Sequence, residues 1–129
     1  MKQKKGFTLI ELLVVVGIIG VLSGIVLVSI NGARNKGKNG AIKAEMAQLR
    51  SAGELYTEDH NTFTGWCLDS EMTKISQGAI SAGGTAFDCD DSSGEWAAKI
   101  NLVGSGSWCV DANGTSKSGT KGASATVCP

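Results

Sequence analysis

The sequence predicts an α+β protein, in which a long N-terminal helix with an apolar first half packs on a small antiparallel β-sheet head. Three observations predict it. Residues 7–30 run for 24 positions with a single charge, Glu11. Residues 41–56 carry an apolar stripe at helical spacing. Beyond Gly65 the chain is rich in Gly and Ser, alternates apolar with polar residues, and holds all four cysteines.

The apolar run comes first. As a helix it is roughly 36 Å long at about 1.5 Å per residue, slightly more than a hydrocarbon core of about 30 Å. It exceeds the ~7–15-residue apolar stretch of a secretory signal. Apolar on every side, it is not the surface helix of a soluble domain, and membrane residence is expected. Lys2, Lys4 and Lys5 precede the run and Arg34, Lys36 and Lys38 follow it, so the positive-inside rule does not fix orientation. The cysteines do. Four in a small Gly/Ser-rich head read as a disulfide framework, which needs an oxidising compartment. That places the head outside and the N-terminus in the cytoplasm. A zinc site is the competing reading, without a Cys-x-x-Cys pair to support it.

Glu11 stands five positions into this run. A carboxylate in hydrocarbon costs several kcal/mol (about 2.5–3.5 on insertion scales) unless a partner is supplied, and no Lys or Arg lies within the run. One solution is local: Glu11 reaches the headgroup zone and gains from the helix N-terminal dipole. The other is intermolecular: a cation at the start of a neighbouring helix, such as a free α-amine. The preceding residues offer that possibility. MKQKKG is a basic leader ending in Gly6, followed by Phe7, Thr8, Leu9, Ile10 and Glu11. Over these residues the sequence resembles the type IV pilin family, including the pseudopilins of type II secretion. The family motif is a Gly, an aromatic or Met, three mostly apolar residues and a Glu, opening an apolar helix.

The resemblance implies that a prepilin peptidase cuts between Gly6 and Phe7 and N-methylates Phe7. It implies that Glu11 then pairs with the new Phe7 amino group of an adjacent subunit. Buried ion pairs specify register more reliably than they stabilise, which suits an ordered filament. Cleavage removes three Lys and leaves a net charge of −3, so the bulk subunit is not expected to bind nucleic acid. The implied partners are further copies in a helical homo-oligomer, the peptidase, a pilus or secretion assembly platform, and the membrane. The implied localisation is the inner membrane as precursor, then an extracellular filament. Gly17, Gly20 and Gly24 read either as small-residue packing or, by the resemblance, as a stretch that melts on assembly. The proline common in this part of pilins is missing; the only one here is Pro129.

Past the run, Asn31–Gly40 reads alone as a flexible linker and by the resemblance as a weakened but continuous helix, which we favour. Ile42, Met46, Leu49, Ala52 and Tyr56 form a core-facing stripe, and Glu58, Asp59, His60 and Asn61 end the helix in a polar turn. His60, the only histidine, reads as a solvated loop residue. The expected organisation is residues 1–6 leader, 7–30 transmembrane or filament-core helix, 31–60 amphipathic continuation and 61–129 disulfide-stapled head.

Within the head, Asp69–Gln77, closed by Gly78, reads as one or two helical turns. Residues 96–102 read as a strand with Trp96, Ala98, Ile100 and Leu102 on its buried face. Gly104-Ser105-Gly106 reads as a turn. Ser107–Ala112 is a second strand with Trp108 and Val110 on one face and Cys109 and Asp111 on the other. Asn113-Gly114 reads as a type I′ pair, followed by strands within 115–117 and near 125–128. Four cysteines allow three pairings. Cys67–Cys89 with Cys109–Cys128 is preferred, because the second resembles the disulfide-closed C-terminal loop of pilin heads.

Asp88, Asp90, Asp91 and Glu95 form a weak calcium candidate, since hard cations take carboxylate oxygens, but Gly94 falls one place late for an EF-hand and a solvated acidic turn is the plainer reading. Asn113-Gly114-Thr115 matches a glycosylation sequon that a hairpin turn explains equally well. The balance of 12 Lys+Arg against 12 Asp+Glu excludes a nucleic-acid-coating protein, and one Pro with 18 Gly excludes collagen and proline-rich linkers. No G-x-S-x-G, H-E-x-x-H or phosphate loop occurs, so no catalysis and no cofactor is expected. The expected function is a structural subunit of a type IV pilus filament serving adhesion, motility or DNA uptake. The alternatives are a type II secretion pseudopilin and, from another class, a single-span anchored extracellular binding module.

Overall fold

A computed structural model describes residues 1–2 and 5–129; Lys4 of the basic leader lies outside the described residues. The chain divides into two compact units, Met1–Arg34 and Asn35–Pro129. Helix α1 is assigned without interruption over Leu9–His60, so Asn31–Gly40 is helical despite its three glycines.

In the first unit α1 has no core. Its apolar side chains are all exposed, from Phe7 at 77% to Ile30 at 42%, which leaves an unburied helical surface of high mean hydropathy. Gly17, Gly20 and Gly24 are helical, with open space where a Cβ would stand.

The second unit is built on the other part of α1. Ile42, Met46 and Leu49 are fully buried, as their spacing dictates, and Ala52 and Tyr56 pack at the edge of the same cluster. A short 3₁₀ turn, Trp66–Leu68, leads to α2, Ser70–Ser81. Asp69 caps α2 by accepting from Glu71 N at 2.8 Å. The helix runs past Gly78, three residues beyond the expected stop, and buries Met72 and Ala79. Four strands follow as an antiparallel meander in the order β1 (Thr85–Asp91), β2 (Trp96–Asn101), β3 (Ser107–Asp111) and β4 (Ser116–Ser118). Trp96, Ala98, Ile100 and Val110 close the core against the α1 stripe. Trp66 and Trp96 meet edge to face at 6.0 Å between centroids. Asn39 Nδ2 donates to Val103 O at 3.1 Å and Val103 N donates to Asn39 Oδ1 at 2.8 Å, tying α1 to the β2–β3 turn.

Five expectations need correction. The acidic stretch from Asp88 to Asp91 is not a turn; it is the second half of strand β1, paired with Trp96–Lys99. Strand β2 is buried on both faces, because Ala97 joins Cys109 and Cys128 in a second small core. No strand forms at residues 125–128. Asn113-Gly114 is not type I′, which needs positive φ at both positions; only Gly114 has it, at 102°. His60 is not a loop residue: it closes the last turn of α1, stacked on Tyr56 at 4.1 Å, and the left-handed residue that ends the helix is Asn61.

Candidate functional site

The start of α1 is organised by one local motif. Thr8 precedes the first helical residue and Glu11 stands three residues later. Thr8 N and Thr8 Oγ1 both donate to Glu11 Oε2, at 2.9 and 2.7 Å, and Glu11 N donates back to Thr8 Oγ1 at 3.3 Å. This is a capping box, which satisfies N–H groups that the first helical turn leaves orphaned. Glu11 therefore has a neutral hydrogen-bond partner, Thr8, within a single copy. The signal was present in the sequence as T-x-x-E ahead of an apolar run. Gly6 and Phe7 lie just outside the helix and are exposed, so the bond between them is accessible. The apolar surface of α1 begins immediately behind the cap.

The cysteines of the head pair as Cys67 with Cys89 and Cys109 with Cys128, with Cα atoms 5.7 and 5.8 Å apart. The first bridge ties the 3₁₀ turn to β1, and the second ties the C-terminal loop to β3.

The structure does not bring the four acidic residues of the calcium candidate together. Lys121, fully buried at its side chain, pairs with Asp88 at 2.7 Å and with Asp90. Burial alone pushes the Lys121 ammonium down, but hydrogen bonds and charge attraction from Asp88 and Asp90 outweigh it and hold its pKa above the ordinary lysine value. Asp91 turns away, accepting from Gly65 N at 3.2 Å and Cys67 N at 2.8 Å. Glu95 accepts from Thr126 Oγ1 at 3.1 Å and Asn113 Nδ2 at 3.4 Å. A protein cation already holds the place the metal would need, and among the described residues no cluster is arranged to hold a metal.

Asp111 was not foreseen as a key residue. It is completely buried and accepts from Asn113 N at 3.0 Å and Thr115 N at 2.9 Å through Oδ1, and from Cys128 N at 3.0 Å through Oδ2. The carboxylate thus shapes the β3–β4 turn and anchors the C-terminal loop. Period-two reading placed it on the face of Cys109, and that face is the second core.

With this geometry in place, residues 1–27 match the family described as the prokaryotic N-terminal methylation motif. The chain is 34% identical over 64 residues to the type IV wide pilus major component PilA4 of Thermus thermophilus, covering 50% of this chain and 49% of that protein. It is 33% identical over 91 residues to the type IV major fimbrial protein FimA of Dichelobacter nodosus, covering 64% and 58%. It is also 30% identical over 63 residues to the type II secretion system core protein G of Klebsiella pneumoniae, covering 49% and 45%. The chain thus carries the N-terminal methylation motif and is similar to both type IV pilins and type II secretion pseudopilins. Pilins and pseudopilins are structural subunits, not enzymes, and this chain carries the kind of exposed apolar helix such a subunit needs. The chain spans about half the length of the curated relatives it matches. No solved structure matches it.

Proposed function

We propose that this chain is a structural subunit of a type IV pilus filament. It is made as an inner-membrane precursor, cut by a prepilin peptidase between Gly6 and Phe7, N-methylated at Phe7 and polymerised by an assembly platform. Residues 1–6 are the discarded leader, 7–30 the membrane and then filament-core helix, 31–60 its continuation and 61–129 the stapled head. The filament serves adhesion, motility or DNA uptake.

One observation carries this reading: a helix with an unburied apolar surface, opened by the Thr8–Glu11 cap directly behind the Gly6-Phe7 junction. Such a surface needs lipid before assembly and other helices after it. In the filament Glu11 pairs with the Phe7 ammonium of a neighbouring copy.

The test is the mature N-terminus and the consequence of Glu11→Ala. Mass spectrometry of surface material finds methylated Phe7, and electron microscopy finds filaments that Glu11→Ala loses or impairs while the head stays folded. An uncut Met1 and no polymer would instead identify an anchored binding module. Filaments at wild-type yield from Glu11→Ala overturn the pairing. The pseudopilin reading draws its support from the relatives named type II secretion core protein G. It predicts a secretion defect on deletion without abundant sheared filaments.

A further inference from the structure

In the second unit, a groove of about 350 Å³ lies beside the last turns of α1. Ala52, Leu55 and Tyr56 give it an apolar floor with the buried Trp66 beneath, His60 stacks on Tyr56 at 4.1 Å, and Asp59 and Glu71 stand at its rim. Leu55 is 64% exposed and the neighbouring Leu68 is 89% exposed, so apolar surface continues beyond the groove. From residue 51 to residue 73 the chain has five carboxylates, Glu54, Glu58, Asp59, Asp69 and Glu71, and no Lys or Arg. The reverse holds earlier in α1: Arg34, Lys36, Lys38 and Lys43 occur with no carboxylate among them. Lys43 is engaged over the Trp108 ring at 4.3 Å. Arg34, Lys36 and Lys38 are exposed, and among the described residues neither they nor Glu54, Glu58 and Asp59 enter an ion pair within the chain.

Separation along the helix keeps these two sets apart. Lys36 and Glu58 are 22 positions apart, about 33 Å at ~1.5 Å per residue, beyond the reach of any pair of side chains. They are also outside one another's screening length of about 8 Å at physiological salt. Lys74 neutralises Glu71 within one copy, but among the described residues Glu54, Glu58 and Asp59 have no ion-pair partner there; a second copy offset along the helices can supply one. We propose that the groove receives the basic stretch 34–38 of a second copy of this chain. The lysine stems of that copy lie on the apolar floor and their ammonium groups reach Asp59, Glu58 and Glu71. The groove chemistry fits this occupant, with Leu55 and Tyr56 for the methylenes and carboxylates for its charge. The contact joins the α1 continuation of one copy to the groove beside the end of α1 in another, separate from the Phe7–Glu11 pair, and sets the axial offset between subunits. It rests on the filament reading above.

The test is zero-length carbodiimide crosslinking of filaments on intact cells, followed by peptide mass spectrometry. The exposed Lys74–Glu71 pair, 2.6 Å apart, gives an intrachain product in every sample and controls for the reagent. The expected result is a crosslinked dimer containing peptides that join Lys36 or Lys38 to Glu58, Asp59 or Glu71. Asp59→Lys combined with Glu58→Lys lowers dimer yield about two- to fivefold, the scale of one exposed ion pair. Adding Lys36→Glu and Lys38→Glu to that variant restores it. Filaments with methylated Phe7 but no such link overturn this inference and leave the filament reading standing. So do links from the rim to another protein, or to Lys117 of a neighbouring copy. Uncut chains with neither filaments nor interchain links overturn both.

Discussion

Asp111→Asn exchanges one oxygen for an amide NH2 in a site that has room only for acceptors. The two carboxylate oxygens accept three backbone N–H groups, two on Oδ1 and one on Oδ2. Either orientation of the asparagine amide therefore points its NH2 at a backbone N–H. One charge-assisted hydrogen bond is lost, worth about 1.5–3 kcal/mol, and a buried donor is left opposed to another donor, costing about 1–3 kcal/mol. Together the loss is about 3–5 kcal/mol, against a total stability of about 5–15 kcal/mol for a domain. With a urea slope of about 1.3 kcal/mol per molar, the unfolding midpoint falls by roughly 2–4 M. The assay is tryptophan fluorescence of the full chain in detergent with its disulfides intact. Trp66, Trp96 and Trp108 all lie in the head and none in the apolar run, so the signal reports the head alone. A midpoint shift under about 0.5 M would refute the claim that this carboxylate organises the C-terminal loop.

The same assay reads three further substitutions. Gly53→Val is destabilising by about 2 kcal/mol, because a Cβ there would stand 3.0 Å from Trp96 Nε1 and 3.4 Å from Trp66 Cε2, both buried rings that cannot withdraw. Removing the Cys109–Cys128 bridge by a double Ser substitution costs about 3 kcal/mol, since it frees a loop closed over a separation of 19 residues. Lys121→Met lowers stability by about 2 kcal/mol at neutral pH, because Asp88 and Asp90 then face each other without their cation. The folded pKa of Lys121 is raised, so its contribution is fully present below the unfolded lysine value of about 10.4 and is lost as pH rises through the folded value. Wild type and Lys121→Met therefore converge in alkaline titration, and a constant difference up to high pH would refute the assignment.

Much of this architecture was legible because it is periodic. The α1 stripe Ile42, Met46 and Leu49 and the β2 residues Trp96, Ala98 and Ile100 declare their burial by spacing, and the structure buries all six. What was not legible depends on partners remote in sequence. Strand β1 is rich in Asp, a poor strand former, and exists because β2 pairs with it and Lys121, about 30 residues away, neutralises Asp88 and Asp90. Lys121 itself, in a tail of Gly, Ser and Thr, carries no local sign of burial. The Asn113-Gly114 turn misled for the same reason: the buried Asp111 carboxylate collects the N–H groups of Asn113 and Thr115 and leaves positive φ to Gly114 alone. The Thr8–Glu11 cap is different: it is local and readable as T-x-x-E ahead of an apolar run, with Thr8 as the neutral partner of Glu11.

That neutral partner bears on the proposed assembly step. A glutamate in the capping box leaves part of its hydrogen-bonding capacity unused: both Thr8 donors fall on Oε2, and among the described residues Oε1 accepts none. A carboxylate has about four acceptor positions, so capping its own helix and receiving an ammonium are compatible. In the proposed assembly step, the carboxylate that caps the helix start while the leader precedes Phe7 would, already held in place by Thr8, meet a Phe7 amine supplied by a neighbour after cleavage. Preorganisation lowers the ordering cost of that contact. Gln satisfies the capping box as well as Glu does, but only an ionised carboxylate would add the charge that the proposed pairing with a second copy's N-terminus needs.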